Sequence, residues 1–364
     1  MKRLLFAPIV LFGASVGLTA DAGPTPPAEP TAQADPADCD TAVEVCVLEV
    51  PNDPLFPQQW GPQKIQAPEA WDIEDGDPAV VVAIVDTGID CTHPDLIRCV
   101  PGYDFINNVP LTGTENSDDN QHGTHVAGIA AATKNNSEGI AGVAQVAYMP
   151  VKVCTSGGSC PDQPIVDGLK FAADNGAEVA NLSLGGSLPG SMEVGVDYAH
   201  SKDVLVVSAC GNSGTEPCLY PAAFVNSMAV SCTDPADVIC WFSSRGTEVD
   251  VAAPGLDILS TLPGGGYGSL SGTSMSTPHV SGVAGLVRSA DATLTNVATW
   301  ALLEATADDI GDAGWDPLYG SGRVNAFRAV VAATPDPPPP PPPPVCEPPR
   351  HLNPHGKCVG PKAR

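Results

Sequence analysis

A parallel β-sheet covered by helices on both faces is the fold predicted by this sequence, on three observations. Continuous runs of β-branched and aliphatic residues recur at strand length, as expected of strands buried on both faces. Helix-like segments lie between several of them, which is the alternation of a parallel α/β sheet. About 285 residues remain for a core between an apolar leader and a run of eight prolines, within the range of one α/β domain.

The elements follow in chain order. Lys2 and Arg3, the apolar stretch from Leu4 to Leu18, and Ala20 and Ala22 have the order of a secretory signal, so residues 1–22 are expected to be removed on export. The stretch is short for a membrane span and broken by Pro8, Gly13 and Gly17, so no transmembrane anchor is expected. Residues 23–49, rich in Pro, Ala and acids, form an arm, and a single domain is expected over 50–334. Within it, strands are predicted at Ala79–Val85, Tyr148–Val153, Glu178–Leu184, Val204–Ala209 and Met228–Ser231. Helices are predicted at His122–Ala132, Pro164–Asn175, Met192–Ser201, Ser274–Ser289 and Val297–Ala305. Residues 335–345 read as a polyproline linker, whose eight prolines at 337–344 make a stiff spacer of roughly 25 Å. Residues 346–364 form a small basic tail, read as a device for surface attachment or as a dispensable stub.

The formal charge is −26, and it becomes −30 over residues 23–344 once Lys2, Arg3, Asp21, Glu347, Arg350, Lys357, Lys362 and Arg364 are set aside. A field of that sign repels nucleic acid and anionic membranes, so neither is expected as a partner. Twelve cysteines fall into six close neighbours: Cys39 with Cys46, Cys91 with Cys99, Cys154 with Cys160, Cys210 with Cys218, Cys232 with Cys240, and Cys346 with Cys358. An even count behind an export leader implies disulfides in an oxidising compartment. No Cys-x-x-Cys pattern favours zinc. Sequence alone does not fix connectivity, and nearest-neighbour pairing is the expectation.

Three segments carry chemistry. Ile84-Val85-Asp86-Thr87-Gly88 ends a buried strand with a carboxylate, His122-Gly123-Thr124-His125 opens a helix, and Gly272-Thr273-Ser274-Met275-Ser276-Thr277-Pro278 opens a longer one. In parallel α/β sheets the carboxyl ends of strands and the N-termini of helices share one edge, where ligands bind. Asp, His and Ser delivered there could meet. A serine is a weak nucleophile until an imidazole takes its proton and a carboxylate holds that imidazole in one tautomer. Singly, each residue is more often a cap, a turn or a packed side chain.

On these three motifs and their order Asp…His…Ser, residues 50–331 resemble the subtilisin family of serine peptidases. The segments Pro51-Asn52-Asp53-Pro54 and Gly61-Pro62-Gln63-Lys64-Ile65-Gln66-Ala67-Pro68 also resemble the N-terminal part of some members. The resemblance implies a three-layer α/β architecture and hydrolysis of peptide bonds in protein and peptide substrates by a secreted, monomeric endopeptidase. It implies Ser274 as nucleophile, His122 as general base and then acid, Asp86 as the orienting carboxylate, and Asn212 as an oxyanion donor beside the Ser274 N–H. Substrate would lie against Ser183, Leu184 and Gly185 on one side and Gly157 and Gly158 on the other. Leu219 would border the first specificity pocket, where no acid is evident, so an apolar residue before the scissile bond is expected. A structural Ca²⁺ is implied as cofactor, held by carboxylates of Asp53 and Asp95, the side-chain oxygen of Asn136, and backbone carbonyls of Thr133, Glu138 and Ile140; six hard oxygens suit that ion. Two other readings compete, a non-catalytic peptide-binding relative and a transpeptidase. The complete set Asp86, His122, Asn212 and Ser274 weighs against the first, and the lack of a water-excluding insertion weighs against the second.

Overall fold

The computed structural model describes residues 50–334, with the two-residue strands Ile9–Val10, His351–Leu352 and Cys358–Val359. Apart from those strands, the leader, the arm, the proline spacer and the tail lie outside the described residues. Ile9–Val10 pairs antiparallel with Ser159–Cys160, and His351–Leu352 pairs antiparallel with Cys358–Val359.

Eight strands form the central sheet: β1 Val81–Asp86, β2 Gly102–Asp104, β3 Val109–Leu111, β4 Ala147–Lys152, β5 Val179–Leu182, β6 Leu205–Ala209, β7 Met228–Thr233 and β8 Val249–Pro254. Their spatial order is β8-β7-β6-β5-β1-β4-β2-β3, parallel except for the β2–β3 edge pair. The chain fills positions on one side of β1 and then crosses to β5 on the other. The carboxyl end of β1 is therefore the switch point of the sheet, the usual place for a ligand. A hairpin of β9 Ile258–Leu262 and β10 Gly266–Leu270 lies apart from this sheet.

Side chains alternate across β1 as a two-residue period requires. Val82 and Ile84 join one apolar core, Ala83 and Val85 the other. The first core is closed by α3 His122–Ala131, through Val126 and Ile129, and by α6 Thr273–Ala290, through Val280, Val283 and Leu286. Short helices α1 Trp60–Lys64 and α2 Ala67–Trp71 precede the sheet, and α8 Ala326–Ala333 packs against α2 and α6. The second core is closed by α4 Asp162–Asp174, through Ile165 and Leu169, and by α5 Glu193–Ser201, through Val196 and Ala199. Helix α7 Asn296–Thr306 starts from Thr295, whose side chain accepts the Ala298 N–H. The three layers match the expected class.

The expected strands and helices form within a few residues of their predicted bounds. Those missed have a common cause: β2 and β3 are three residues each, too short to show a period. The β9–β10 hairpin carries Gly264, Gly265, Gly266 and Gly268 and reads as loop, while β8 contains Asp250 and ends on Pro254. Four of the expected disulfides form: Cys91–Cys99, Cys154–Cys160, Cys210–Cys218 and Cys232–Cys240. The other two expected pairings are Cys39 with Cys46 and Cys346 with Cys358. Both Cys39 and Cys46 belong to the arm, and Cys346 to the tail, outside the described residues.

Candidate active site

Strand β1 delivers Asp86 at its last position, fully buried, with its Oδ1 accepting the Thr87 N–H at 2.7 Å. His122 is the first residue of α3, and its Nδ1 lies 2.8 and 3.0 Å from the two Asp86 oxygens. A carboxylate only accepts, so Nδ1 carries the proton and the lone pair resides on Nε2. Nε2 is buried with no hydrogen-bond partner among the described residues. Burial disfavours a charge on this imidazole, yet Asp86, aided by Asp118, outweighs it and holds the His122 pKa above the usual histidine value.

The approach of α3 to β1 depends on a glycine. A Cβ on Gly123 would stand 2.1 Å from the Gly88 carbonyl oxygen. Around this contact Asp118 is a buried hub: it accepts from Thr87 Oγ1 at 2.8 Å, from Thr124 Oγ1 at 2.6 Å, and from the N–H groups of Asn120, Gln121 and Thr124. Gln121 sits at φ 114°, in the region that favours glycine, and its bond to Asp118 helps to hold it there immediately before His122.

Ser274 is the second residue of α6 and fully buried. Pro278, four residues on, has no N–H to donate to the Ser274 carbonyl. The Ser183 hydroxyl donates to that carbonyl instead, at 2.7 Å, and Ser274 Oγ donates back to the Ser183 carbonyl at 3.2 Å. Asn181 Nδ2 donates to Ser183 Oγ at 3.0 Å, and Ser281 Oγ donates to Asn181 Oδ1 at 2.9 Å. The residue after β5 and the first turn of α6 are thus tied side chain to backbone. On the other flank Asn212 Oδ1 accepts from both the N–H and the hydroxyl of Thr273, each at 2.9 Å, which settles the amide's orientation with Nδ2 as its donor end.

Of the predicted catalytic residues the structure joins Asp86 to His122 directly. It places Ser274 and Asn212 together at the start of α6, which packs against α3. His122 Nε2 and Ser274 do not share a hydrogen bond. Near the residues expected to meet substrate, Gly186 and Tyr220 exchange backbone hydrogen bonds at 2.8 and 2.9 Å, which brings the chain after Ser183-Leu184-Gly185 beside the chain after Leu219. Leu219 packs there: Cβ atoms added to Gly185 and Gly211 would lie 3.3 and 2.8 Å from its side chain. Gly157 and Gly158 form a tight turn in which the Gly158 N–H donates to the Thr155 carbonyl at 2.9 Å, closed by Cys154–Cys160. Asn120 Nδ2 ties this loop to the segment entering α3 through the Ser156 carbonyl, at 2.8 Å.

The residues expected around calcium also converge. Asp53 and Asp95 are buried, and Asp53 accepts the N–H groups of Asn135 and Asn136 at 2.8 and 3.3 Å. Asp95 accepts from Asn136 Nδ2 at 2.8 Å and from the Ile140 N–H at 2.9 Å, and its carbonyl accepts the Thr133 N–H at 2.9 Å. The Glu138 N–H donates to Asn136 Oδ1 at 2.8 Å. Burial raises the pKa of both carboxyls, and the charge of Asp53 adds to the rise at Asp95. Two confined like charges are a setting that a hard cation would relieve, and the contacts around them here are N–H and O–H donors of Asn135, Asn136, Ile140 and Tyr267. No group of three or more His, Cys, Asp or Glu placed for a metal occurs among the described residues, so the charged ligands available to a cation here are the two carboxylates.

Sequence reasoning missed Asp118, Thr87, Thr273 and Lys152 as supports of the site. It also missed Glu248, whose Oε2 accepts from the N–H of Cys218, the residue before Leu219, at 3.5 Å. Only Asp118 carried a signal, as part of the turn-forming run Asn116-Ser117-Asp118-Asp119-Asn120.

Residues 77–322 match the Subtilase family. The chain is 49% identical over 286 residues to thermitase of Thermoactinomyces vulgaris, covering 77% of this chain and 99% of that protein. It is 46% identical over 270 residues to subtilisin Savinase of Lederbergia lenta, covering 73% and 96%. It is 43% identical over 284 residues to the thermophilic serine proteinase of Bacillus sp. (strain AK1), covering 77% and 69%. With an Asp–His pair and a helix-borne serine at the carboxyl edge of a mostly parallel sheet, these similarities are of one kind: the chain belongs to the subtilase family and is a serine endopeptidase.

Proposed function

We propose that the chain is an exported endopeptidase that hydrolyses peptide bonds through an acyl-enzyme on Ser274. The observation that carries this reading is the buried Asp86–His122 pair, whose geometry leaves the lone pair on Nε2. Nε2 takes the Ser274 hydroxyl proton as Oγ attacks the scissile carbonyl, and Asp86 stabilises the imidazolium that results. The oxygen of the tetrahedral intermediate is received by Asn212 Nδ2 and the Ser274 N–H; one such donor is worth about 3 kcal/mol of barrier. His122 then gives its proton to the leaving amine, the C–N bond breaks, and water enters by the reverse sequence to release the acid and restore Ser274. Substrate backbone lies along Ser183-Leu184-Gly185 and beside Gly157 and Gly158. Leu219 favours an apolar side chain before the cut.

Asp53, Asp95, Asn136 and the carbonyls of Thr133, Glu138 and Ile140 would hold Ca²⁺ in a structural role, joining the N-terminal segment to the domain. Residues 1–22 act as the export leader, which agrees with the four disulfides. Among the described residues no helix is long and apolar enough to cross a membrane. The test is Ser274→Ala: hydrolysis of a chromogenic peptide should fall by at least about a thousandfold with the thermal transition retained. Parent-like turnover from that variant would remove Ser274 from the mechanism.

A further inference from the structure

Lys152 is the last residue of β4 and stands in register beside Asp86 of β1. Its side chain is only 1% exposed, and the catalytic steps above make no use of its ammonium. A buried lysine is expensive unless its charge is met. Here Nζ donates to the Thr87 carbonyl at 2.5 Å and pairs with Asp119 Oδ1 at 2.6 Å. Those partners lie in different segments: Thr87 follows Asp86 as the chain leaves β1, and Asp119 is three residues before His122 as the chain enters α3.

Thr87 is the junction between them. Its N–H donates to Asp86, its hydroxyl donates to Asp118 and accepts the Gly123 N–H, and its carbonyl is held by Lys152. One ammonium thus joins the strand end that carries the carboxylate to the loop that carries the imidazole. Because Asp119 balances the charge, the clamp is made without presenting a net positive group to the imidazolium that forms during reaction.

We propose that Lys152, paired with Asp119, is a positioning residue for peptide hydrolysis, setting the separation of Asp86 and His122 by pinning Thr87 to the loop before α3. This rests on the reading of Asp86, His122 and Ser274 as the reacting groups. Misplacement of reacting groups by fractions of an ångström is costly in rate, so the effect belongs in kcat.

The experiment measures the full chain on a short chromogenic peptide, with Asp119→Asn, Asp119→Glu and Lys152→Met beside Ser274→Ala and His122→Ala. Asp119 is about half exposed, so its variants keep the test available if Lys152→Met fails to fold. Asp119→Asn should lower kcat about tenfold with KM within about twofold. The acidic limb of kcat should move to lower pH as His122 loses its close carboxylate, and Asp119→Glu should recover most of the rate. Parent-like kcat and pH profile in Asp119→Asn, whatever its melting temperature, overturn the positioning role, as does a loss confined to KM. Activity surviving in Ser274→Ala and His122→Ala overturns the reading of the triad itself, a distinct outcome.

Discussion

Ser183→Ala offers a sharp test of how the first turn of α6 is held. The hydroxyl it removes makes two buried bonds, to the Ser274 carbonyl at 2.7 Å and from Asn181 Nδ2 at 3.0 Å. In an ordinary helix the carbonyl would take the N–H four residues on, but Pro278 has none. Loss of two buried hydrogen bonds, with the Asn181 amide deprived of its acceptor, costs about 2–3 kcal/mol. For a domain of this size that corresponds to a fall in melting temperature of roughly 4–10 °C. The carbonyl belongs to the proposed nucleophile, so kcat should fall as well, with KM less affected. Pro278→Ala provides the control, because it returns an N–H in reach of the same carbonyl. In a double-mutant cycle the two changes should couple by about 1 kcal/mol, the second partly rescuing the first. Calorimetry on the four proteins and turnover of a short peptide measure both effects. Additive changes in stability, or a Ser183→Ala protein that melts with the parent, would refute the substitution of hydroxyl for helix N–H.

Three further outcomes follow from the site. His122 must be neutral to act as base, and Asp86 holds its pKa above the ordinary value, so kcat/KM should be lost as pH falls through that raised value; in Asp86→Asn the remaining activity should show its acidic limb at lower pH, and an unmoved limb would disprove the coupling. Removing a cation that binds only the native state should cost roughly 3–4 kcal/mol at a hundred to a thousand times its dissociation constant, so excess chelator should lower the melting temperature of the parent but hardly that of Asp53→Asn; equal shifts would place the metal elsewhere. Peptide-library profiling should show cleavage after bulky apolar residues, and a dominant preference for Lys or Arg would instead implicate Glu248.

Much of this architecture was legible because the parallel sheet is buried on both faces. Ala79 to Val85 can be read as a strand without knowing its partners, and Asp86 is conspicuous as the carboxylate that ends it. His122 and Ser274 were visible as polar residues opening helices of small and apolar side chains. The supports around them were not, since their roles arise from long-range contact. Lys152 reads as an ordinary basic residue at a strand end until Thr87 and Asp119 close over it from 65 and 33 residues away. Thr273 acts through Asn212, 61 residues earlier. Pro278 looks like a helix breaker, and only the Ser183 hydroxyl explains how the helix runs through it. The β9–β10 hairpin escaped notice because its glycines leave no apolar alternation to read.

The four bridges within the domain join cysteines only six or eight residues apart. Eight cysteines could pair in about a hundred ways, yet each correct partner here is also the nearest one along the chain. A loop of about ten residues closes in roughly 10–100 ns, and closure entropy penalises every longer alternative. Pairing therefore needs only encounters within short segments, with little need for reshuffling among distant cysteines. Two of the loops so closed, 154–160 and 210–218, are tied to the segments that carry His122 and Ser274, through Asn120 and Asn212. The loops proposed to receive substrate are thus cross-linked by the most local chemistry in the molecule, whereas Asp86, His122 and Ser274 are brought to one edge only when the whole sheet has formed.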